Sequence, residues 1–234
     1  MRTTLAAAVA AFLLASAALT AADFWEEKDF TTWSPQQIDK MLTDSPWAKK
    51  ATIVLGSLRE GGGSGGGFQS GGAGFGGGGG TTDSAGGGGE FSGVRRITAT
   101  VAWISALPVR QAIARLRAGV DAPVLPDDKR LPEDEAFYVV AVAGMPTRVA
   151  QAASRNEVVD KTDLKSKRKE PIKPADIRIV PESKETVRVE FVFPRSNAIT
   201  LDDKEVEFVT KIGAADITRK FTLADMMVRG RLAL

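Results

Sequence analysis

The chain has 234 residues, an apolar fraction of 43% and a formal net charge of +2, values that fit one globular domain or one domain with a tail. So small a net charge gives no electrostatic argument for nucleic-acid binding. Histidine and cysteine are both absent. Their absence excludes Ser-His-Asp and Cys-His catalysis, zinc sites with nitrogen or sulfur ligands, and disulfide bonds.

Residues 1–22 are typical of a secretory signal peptide. Arg2 supplies a positive start, residues 5–19 are apolar and alanine-rich, and Thr20 and Ala22 are small residues before the predicted cleavage point. No later segment approaches the roughly 20 apolar residues that a membrane span requires. We therefore expect an exported protein, periplasmic or secreted, with no transmembrane span after cleavage; an uncleaved amino-terminal anchor is the alternative.

Residues 33–55 carry two consecutive helix-start signals and then enter a strand-like segment. Each signal combines a capping side chain with a proline at the first helical position. The two signals are Ser34-Pro35, with Gln37 at capping-box spacing, and Asp44-Ser45-Pro46. We predict two short helices followed by a strand over residues 51–58.

Trp33 and Trp47 flank the first predicted helix. We favour the interpretation that both indoles pack this helix onto the domain, because buried aromatic side chains dominate core energetics. The alternative is an aromatic platform for a ligand. Trp33 and Trp47, with Trp103 and Arg110 from a later strand-to-helix turn, form the one candidate interaction surface in the sequence. We expect any functional site to lie where residues 33–55 meet the strand-to-helix turn at residues 103–110.

Residues 61–89 are of low complexity and hold most of the chain's 24 glycines. Glycine loses the most backbone entropy on ordering, and few side chains here offset that loss. We predict a disordered loop inserted between two strands, which is tolerated because loop-closure entropy grows only slowly with length.

Two strand–helix units follow the glycine-rich segment. Residues 94–106 predict a strand, after which Pro108 begins a helix that Gly119 ends. Residues 137–143 are nearly all apolar and predict a strand covered on both faces, followed by a helical piece over residues 147–154. The two units form either a βαβ-type crossover or a loose duplication.

The carboxyl-terminal third is predicted to be antiparallel β-structure, because apolar and polar residues alternate along it. Three alternating runs cover residues 187–193, 205–210 and 217–223, with a turn at Asp202-Asp203 between the first two. The predicted fold class is therefore α+β, with short amino-terminal helices, two strand–helix units, a β-rich end and a disordered glycine-rich insertion. Residues 23–234 form a single such domain.

Residues 161–173 are basic. We favour an exposed edge strand or loop, in which lysines block pairing with another sheet edge. The alternative is contact with an anionic polymer or a membrane surface.

Three chemistries remain open without histidine and cysteine: a Ser–Lys dyad, a calcium site and a glycosidase-type carboxylate pair. Each has a weak signal in this sequence. No Ser-x-x-Lys motif stands at a helix start, and the acids near Asp121 lack the spacing of a calcium loop. A glycosidase-type pair has candidates only in an acidic loop: Asp127, Asp128, Glu133, Asp134 and Glu135. We predict no catalytic residue, no cofactor and no metal ligand.

Three segments carry a resemblance to a known family: W-S-x₇-L-T-D-S-P-W-A-K at residues 33–49, A-W-I-S-A-L-P-V-R-Q-A at 102–112, and F-P-R, V-E-F-V-T-K-I-G and K-F-T-L-A-D-M within 193–226. In these the chain resembles uncharacterised exported bacterial proteins, chiefly of the acidobacterial type. The resemblance implies export and brings no activity, cofactor or partner. Ala102 stands where the family pattern has Arg, and no site residue is carried over.

Two functions follow from the sequence. The preferred one is an exported, non-enzymatic binding or envelope-associated module, whose partner is an envelope component or another exported protein. The alternative is a carboxylate-dependent polysaccharide hydrolase, which needs two acids about 5–10 Å apart in a cleft.

Overall fold

The computed structural model describes residues 23–55, 95–119 and 136–234 of the chain. The predicted signal peptide, the glycine-rich loop 61–89 and the acidic candidates between Asp127 and Glu135 lie outside the described residues.

Short helices occupy the amino-terminal part and the connections between strands. The described ranges contain five α-helices: α1 (Phe24–Glu27), α2 (Pro35–Thr43), α3 (Leu107–Ala118), α4 (Thr147–Gln151) and α5 (Arg155–Asp160). They contain ten strands: β1 (Ala48–Leu55), β2 (Arg95–Trp103), β3 (Phe137–Pro146), β4 (Asp163–Ser166), β5 (Asp176–Pro181), β6 (Thr186–Pro194), β7 (Glu205–Ile212), β8 (Ala215–Thr222), β9 (Met227–Val228) and β10 (Arg231–Leu232). None of these helices has the length and apolar character needed to cross a bilayer.

The strands form two antiparallel sheets and a small hairpin. The larger sheet has the order β1-β2-β3-β6-β5, the smaller has the order β4-β7-β8, and β9 pairs with β10. Every pairing between these strands is antiparallel. The protein is thus α+β with a β-rich carboxyl-terminal part, as the sequence predicts at this level.

Aromatic rings join the inner faces of the two sheets. Phe208 of β7 meets Phe191 and Phe193 of β6 edge to face, with ring centroids 5.3 and 6.4 Å apart. Trp103 of β2 meets Phe221 of β8 in the same way at 5.9 Å. Buried residues of both sheets and of α2, α3, α4 and α5 belong to one hydrophobic cluster.

Helix α2 begins as the sequence predicts. Ser34 Oγ accepts a hydrogen bond from Gln37 N at 3.3 Å, and Gln37 Oε1 accepts one from Ser34 N at 2.9 Å. This reciprocal capping box satisfies two backbone donors at the helix start. Ile38 and Met41, one turn apart, are buried and fix the helix against the core.

The second predicted helix, at Asp44 to Pro46, is wrong, because this segment is a turn that leads directly into β1. Ser45 and Ala48 exchange backbone hydrogen bonds of 2.9 and 3.2 Å. Ser45 Oγ donates to Met41 O at 2.8 Å and accepts from Ala48 N at 3.2 Å, so it closes the turn, and the strand begins at Ala48 where a helix would continue. The fixed φ of Pro46 suits a turn as well as a helix start. Pairing with β2 along all of β1 then selects the strand.

One of the two alternatives for the strand–helix units, the βαβ-type crossover, is wrong. β2 and β3 are antiparallel neighbours, with Trp103 opposite Val140, so the strand–helix units do not form a parallel βαβ unit. β6 pairs with β3 and β5, whereas β7 pairs with β4 and β8. The predicted turn at Asp202 and Asp203 is confirmed as a 3₁₀ turn, Leu201–Asp203, and it connects the larger sheet to the smaller one. Alternation fixes the buried face of a strand, but it does not choose the neighbouring strand.

The basic segment at residues 161–173 contains an edge strand, as the sequence predicts. Its β4 stands at one edge of the smaller sheet. Lys165 and Lys173 both form ion pairs with Asp163, at 3.8 and 3.0 Å. These exposed charges make the edge a poor template for a further strand.

Replacing Trp47 by alanine is expected to lower the free energy of unfolding by about 3–5 kcal/mol, because the indole is buried. Its Nε1 also donates to Ala233 O at 2.6 Å, which ties the turn before β1 to the end of the chain. Chemical denaturation of the purified variant measures the loss. Trp47→Phe, which keeps a ring and loses the hydrogen bond, should lose less, and unchanged unfolding of Trp47→Ala would contradict burial of the indole.

Candidate functional site

The three tryptophans of the predicted interaction surface lie in the core. Trp33 is 2% exposed, and Trp47 and Trp103 are 0% exposed. The segments that carry them do meet, since Trp103 N donates to Trp47 O at 2.9 Å. These indoles therefore pack the domain and present no ring to a ligand. The fourth residue, Arg110, lines a groove beside α3.

This groove has a volume of about 550 Å³ and lies between α3 and the outer face of the larger sheet. Its floor consists of four small side chains in two directly opposed pairs, Thr100 with Ala143 and Ala102 with Ala141. Side chains alternate along a strand, so these residues point away from the face of β2 that carries Trp103. We call this recess, with the side chains of α3 that line it, the α3 groove.

Helix α3 forms the wall of the α3 groove, and its predicted limits are confirmed. Pro108 lies in its first turn, and Gly119 ends it with a φ of +86°, a backbone conformation that glycine adopts without steric cost. Ile113, Leu116 and Arg117 line the groove. Leu116 is 60% exposed, so the rim offers a large apolar side chain to solvent.

Ion pairs border the α3 groove on the sheet side. Arg188 lies between two carboxylates, with Nε 2.9 Å from Glu190 Oε1 and a guanidinium nitrogen 3.6 Å from Glu182 Oε1. Glu182 Oε2 also accepts a hydrogen bond from Gly144 N at 2.9 Å. On the helix side, Arg117 has no hydrogen-bond or ion-pair partner among the described residues.

The α3 groove lies where a site is expected, since Leu42 and Arg110, from the two segments that carry the tryptophans, line it. Its floor of small side chains is not predicted, although the sequence contains a signal for it. In the strand-forming run at residues 137–143, Ala141 and Ala143 alternate with Val140 and Val142. One face of the strand is therefore small and the other large. The run was interpreted as covered on both faces because every residue in this part of it is apolar.

Ser166, Lys169 and Asp203 form a second polar cluster, which is structural. Ser166 Oγ donates to Asp203 Oδ1 at 3.1 Å, Lys169 Nζ lies 2.7 Å from Asp203 Oδ2, and Thr200 N donates to the same oxygen at 2.9 Å. Lys169 Nζ also donates to Ala198 O. Lys169 thus acts as a donor to fixed acceptors and provides no base for the serine. Across 23–55, 95–119 and 136–234, no cluster of three or more acids could hold a metal ion.

Asp203 is 3% exposed, and its ionised form is stabilised inside the fold. Burial alone would raise the pKa of Asp203, but hydrogen bonds from Lys169, Thr200 and Ser166 together lower the pKa below the ordinary value of 3.8. A lowered folded-state pKa contributes stability above 3.8 that is lost as the pH falls through the folded value.

Replacing Asp203 by asparagine is expected to lower the free energy of unfolding at pH 7 by about 1.5–3 kcal/mol, the range for hydrogen bonds to charged groups. The variant should also lose less stability than the wild type on acidification below about pH 4. Denaturant unfolding at several pH values measures both effects. Asp202→Asn, at an exposed neighbouring carboxylate, is the matched control. Parallel acid dependence of Asp203→Asn and wild type would contradict this assignment.

Comparison of the chain with protein-family models, with curated proteins and with solved structures finds no match. A function must therefore be argued from the geometry of the chain itself. The α3 groove is the recess that combines an apolar floor, an exposed apolar rim and a cation without a partner in the described ranges.

Proposed function

We propose that the protein is an exported, non-enzymatic binding module of the cell envelope, and that the α3 groove holds its ligand. The ligand is a small apolar molecule that carries an anionic group. The floor of the groove supports this proposal most directly: four small side chains leave a recess of about 550 Å³ beneath a helix. Small-molecule sites typically occupy about 300–1,000 Å³ and are mostly apolar with a few polar groups.

Charge around the α3 groove favours an anionic ligand group. Arg110, Arg117 and Arg188 line it, together with Glu182 and Glu190. Both carboxylates contact Arg188, so this border is already an ion-paired unit. Arg117 stands on the opposite wall without a partner among the described residues, and it is the group that an incoming anion would meet.

The alternative function, polysaccharide hydrolysis, has less support. A carboxylate pair must have one group free to give a proton and the other free to attack or activate water. The two carboxylates in the α3 groove instead hold Arg188, and Glu182 also holds the backbone at Gly144. No observation on the described residues favours a hydrolase over a binding module.

Replacing Ala143 by phenylalanine fills the floor of the α3 groove and should weaken ligand binding by about tenfold or more. The probe is anilinonaphthalene sulfonate, an apolar ring system with an anionic group, titrated against the protein by fluorescence. Ala118→Phe adds the same ring to α3 outside the groove lining and should bind the probe as the wild type does. Thermal unfolding shows whether both variants are folded. Equal affinity of Ala143→Phe and Ala118→Phe would overturn the proposal.

Reversing the charge of Arg117 tests the anionic part of the proposal. Arg117→Glu should weaken sulfonate binding by about threefold to tenfold, because an exposed charge pair contributes up to about 1 kcal/mol and reversal adds repulsion. The loss should shrink at high salt, since ions screen exposed charges. Arg148→Glu, at an exposed position of α4 and away from the groove lining, makes the same change in net charge. An equal loss in both variants would indicate a general charge effect.

A further inference from the structure

A second recess, of about 270 Å³, lies between the α4–α5 segment and the two sheets. Its inner part is lined by Val158 of α5, Val189 of β6 and Ile212 of β7, all of which are buried. Ile179 of β5 lines it as well and is 51% exposed, and Arg155 is the charged residue in its lining. We call this recess the α5 pocket.

The α5 pocket exists because small residues stand where the α4–α5 segment crosses the sheets. Ala150 and Ala153 line it and leave space above the aliphatic side chains of the strands. The segment is anchored at its far end, where Thr162 Oγ1 lies 2.7 Å from Thr210 Oγ1 of β7. The roof of the pocket is therefore tied to the smaller sheet, and its floor includes residues of the larger one.

An almost wholly aliphatic lining determines what the α5 pocket can hold. Buried water is stable only where about 2–4 polar partners are available, and apolar cavities of about 150 Å³ stay dry and take up small hydrocarbons. The α5 pocket is larger than that and opens to solvent beside Ile179. Displacing poorly ordered water from such a lining by an apolar group is favourable.

Arg155, the charged residue in the lining of the α5 pocket, belongs to a group of ion pairs beside its mouth. The Arg155 guanidinium pairs with Asp176 Oδ1, and Arg178 Nε lies 3.3 Å from Asp176 Oδ2. Two guanidinium groups thus share one carboxylate, which also accepts a hydrogen bond from Ile177 N at 2.8 Å.

We propose that the α5 pocket binds a monomeric straight-chain carboxylate, with its aliphatic chain against Val158, Val189 and Ile212 and its carboxylate beside Arg155. The cavity accounts for the chain, and Arg155, the charged residue of its lining, accounts for the anionic head. This site is separate from the α3 groove, since the two recesses share no lining residue. The inference stands whether or not the α3 groove binds a ligand.

Isoleucine-methyl NMR of the folded protein locates the chain directly. Addition of decanoate should shift the methyl signals of Ile177, Ile179 and Ile212, which line the pocket, and leave those of Ile38 and Ile53 in place. This measurement needs no variant. Absence of saturable shifts at the three lining residues would overturn the proposal.

A filling variant tests the same site by affinity. Ala153→Phe should weaken decanoate binding, measured by calorimetry, by about tenfold or more. Ala152→Phe places the same ring at the exposed neighbouring position and should change the affinity by no more than about twofold. Ala143→Phe in the α3 groove should likewise leave decanoate binding intact, so failure at one site is distinguishable from failure at the other.

The head group is tested with ligands of equal chain length. Decanoate should bind more tightly than decanol, and decanol more tightly than decyltrimethylammonium. Arg155→Glu should remove the preference for decanoate over decanol and leave decanol affinity unchanged. Equal binding of the three ligands to the wild type would overturn the assignment of the anionic head.

Discussion

Edge-to-face contacts between aromatic rings hold the two sheets together, and the remaining structure depends on them. A chain without cysteine has no disulfide to join its layers, so packing alone must do so. Phe208 against Phe191 and Phe193, and Trp103 against Phe221, connect β6 with β7 and β2 with β8. At one sheet edge, Arg219 Nε of β8 adds a hydrogen bond to Lys50 O of β1 at 2.9 Å. With the inner faces packed in this way, the outer face of the larger sheet is available for α3 and the α3 groove.

Both recesses arise where small side chains replace the large ones that would complete the packing. Unfilled apolar space lowers stability, because the lining atoms lose contacts on one side. Three large apolar side chains are exposed in the described ranges, and two of them, Leu116 and Ile179, line the α3 groove and the α5 pocket. Ligand sites are typically recesses with a mostly apolar lining.

Structural features that depend on residues close together in the sequence are predicted correctly. Features that depend on residues far apart in the chain are predicted poorly. The capping box at Ser34 and the limits of α3 at Pro108 and Gly119 were predicted because they depend on residues within one turn. The turn at Pro46 was mistaken for a helix because proline suits both, and only the pairing of β1 with β2 decides between them. The α5 pocket and the floor of the α3 groove are not predicted, since each brings together residues from elements far apart in the chain.

Strand β6 lies between the two recesses and contributes to both. Arg188 and Glu190 border the α3 groove, and Val189, on the opposite face of the strand, lines the α5 pocket. A small displacement of this one strand therefore moves both linings together. Any free energy by which one ligand changes the affinity of the other must be equal in both directions.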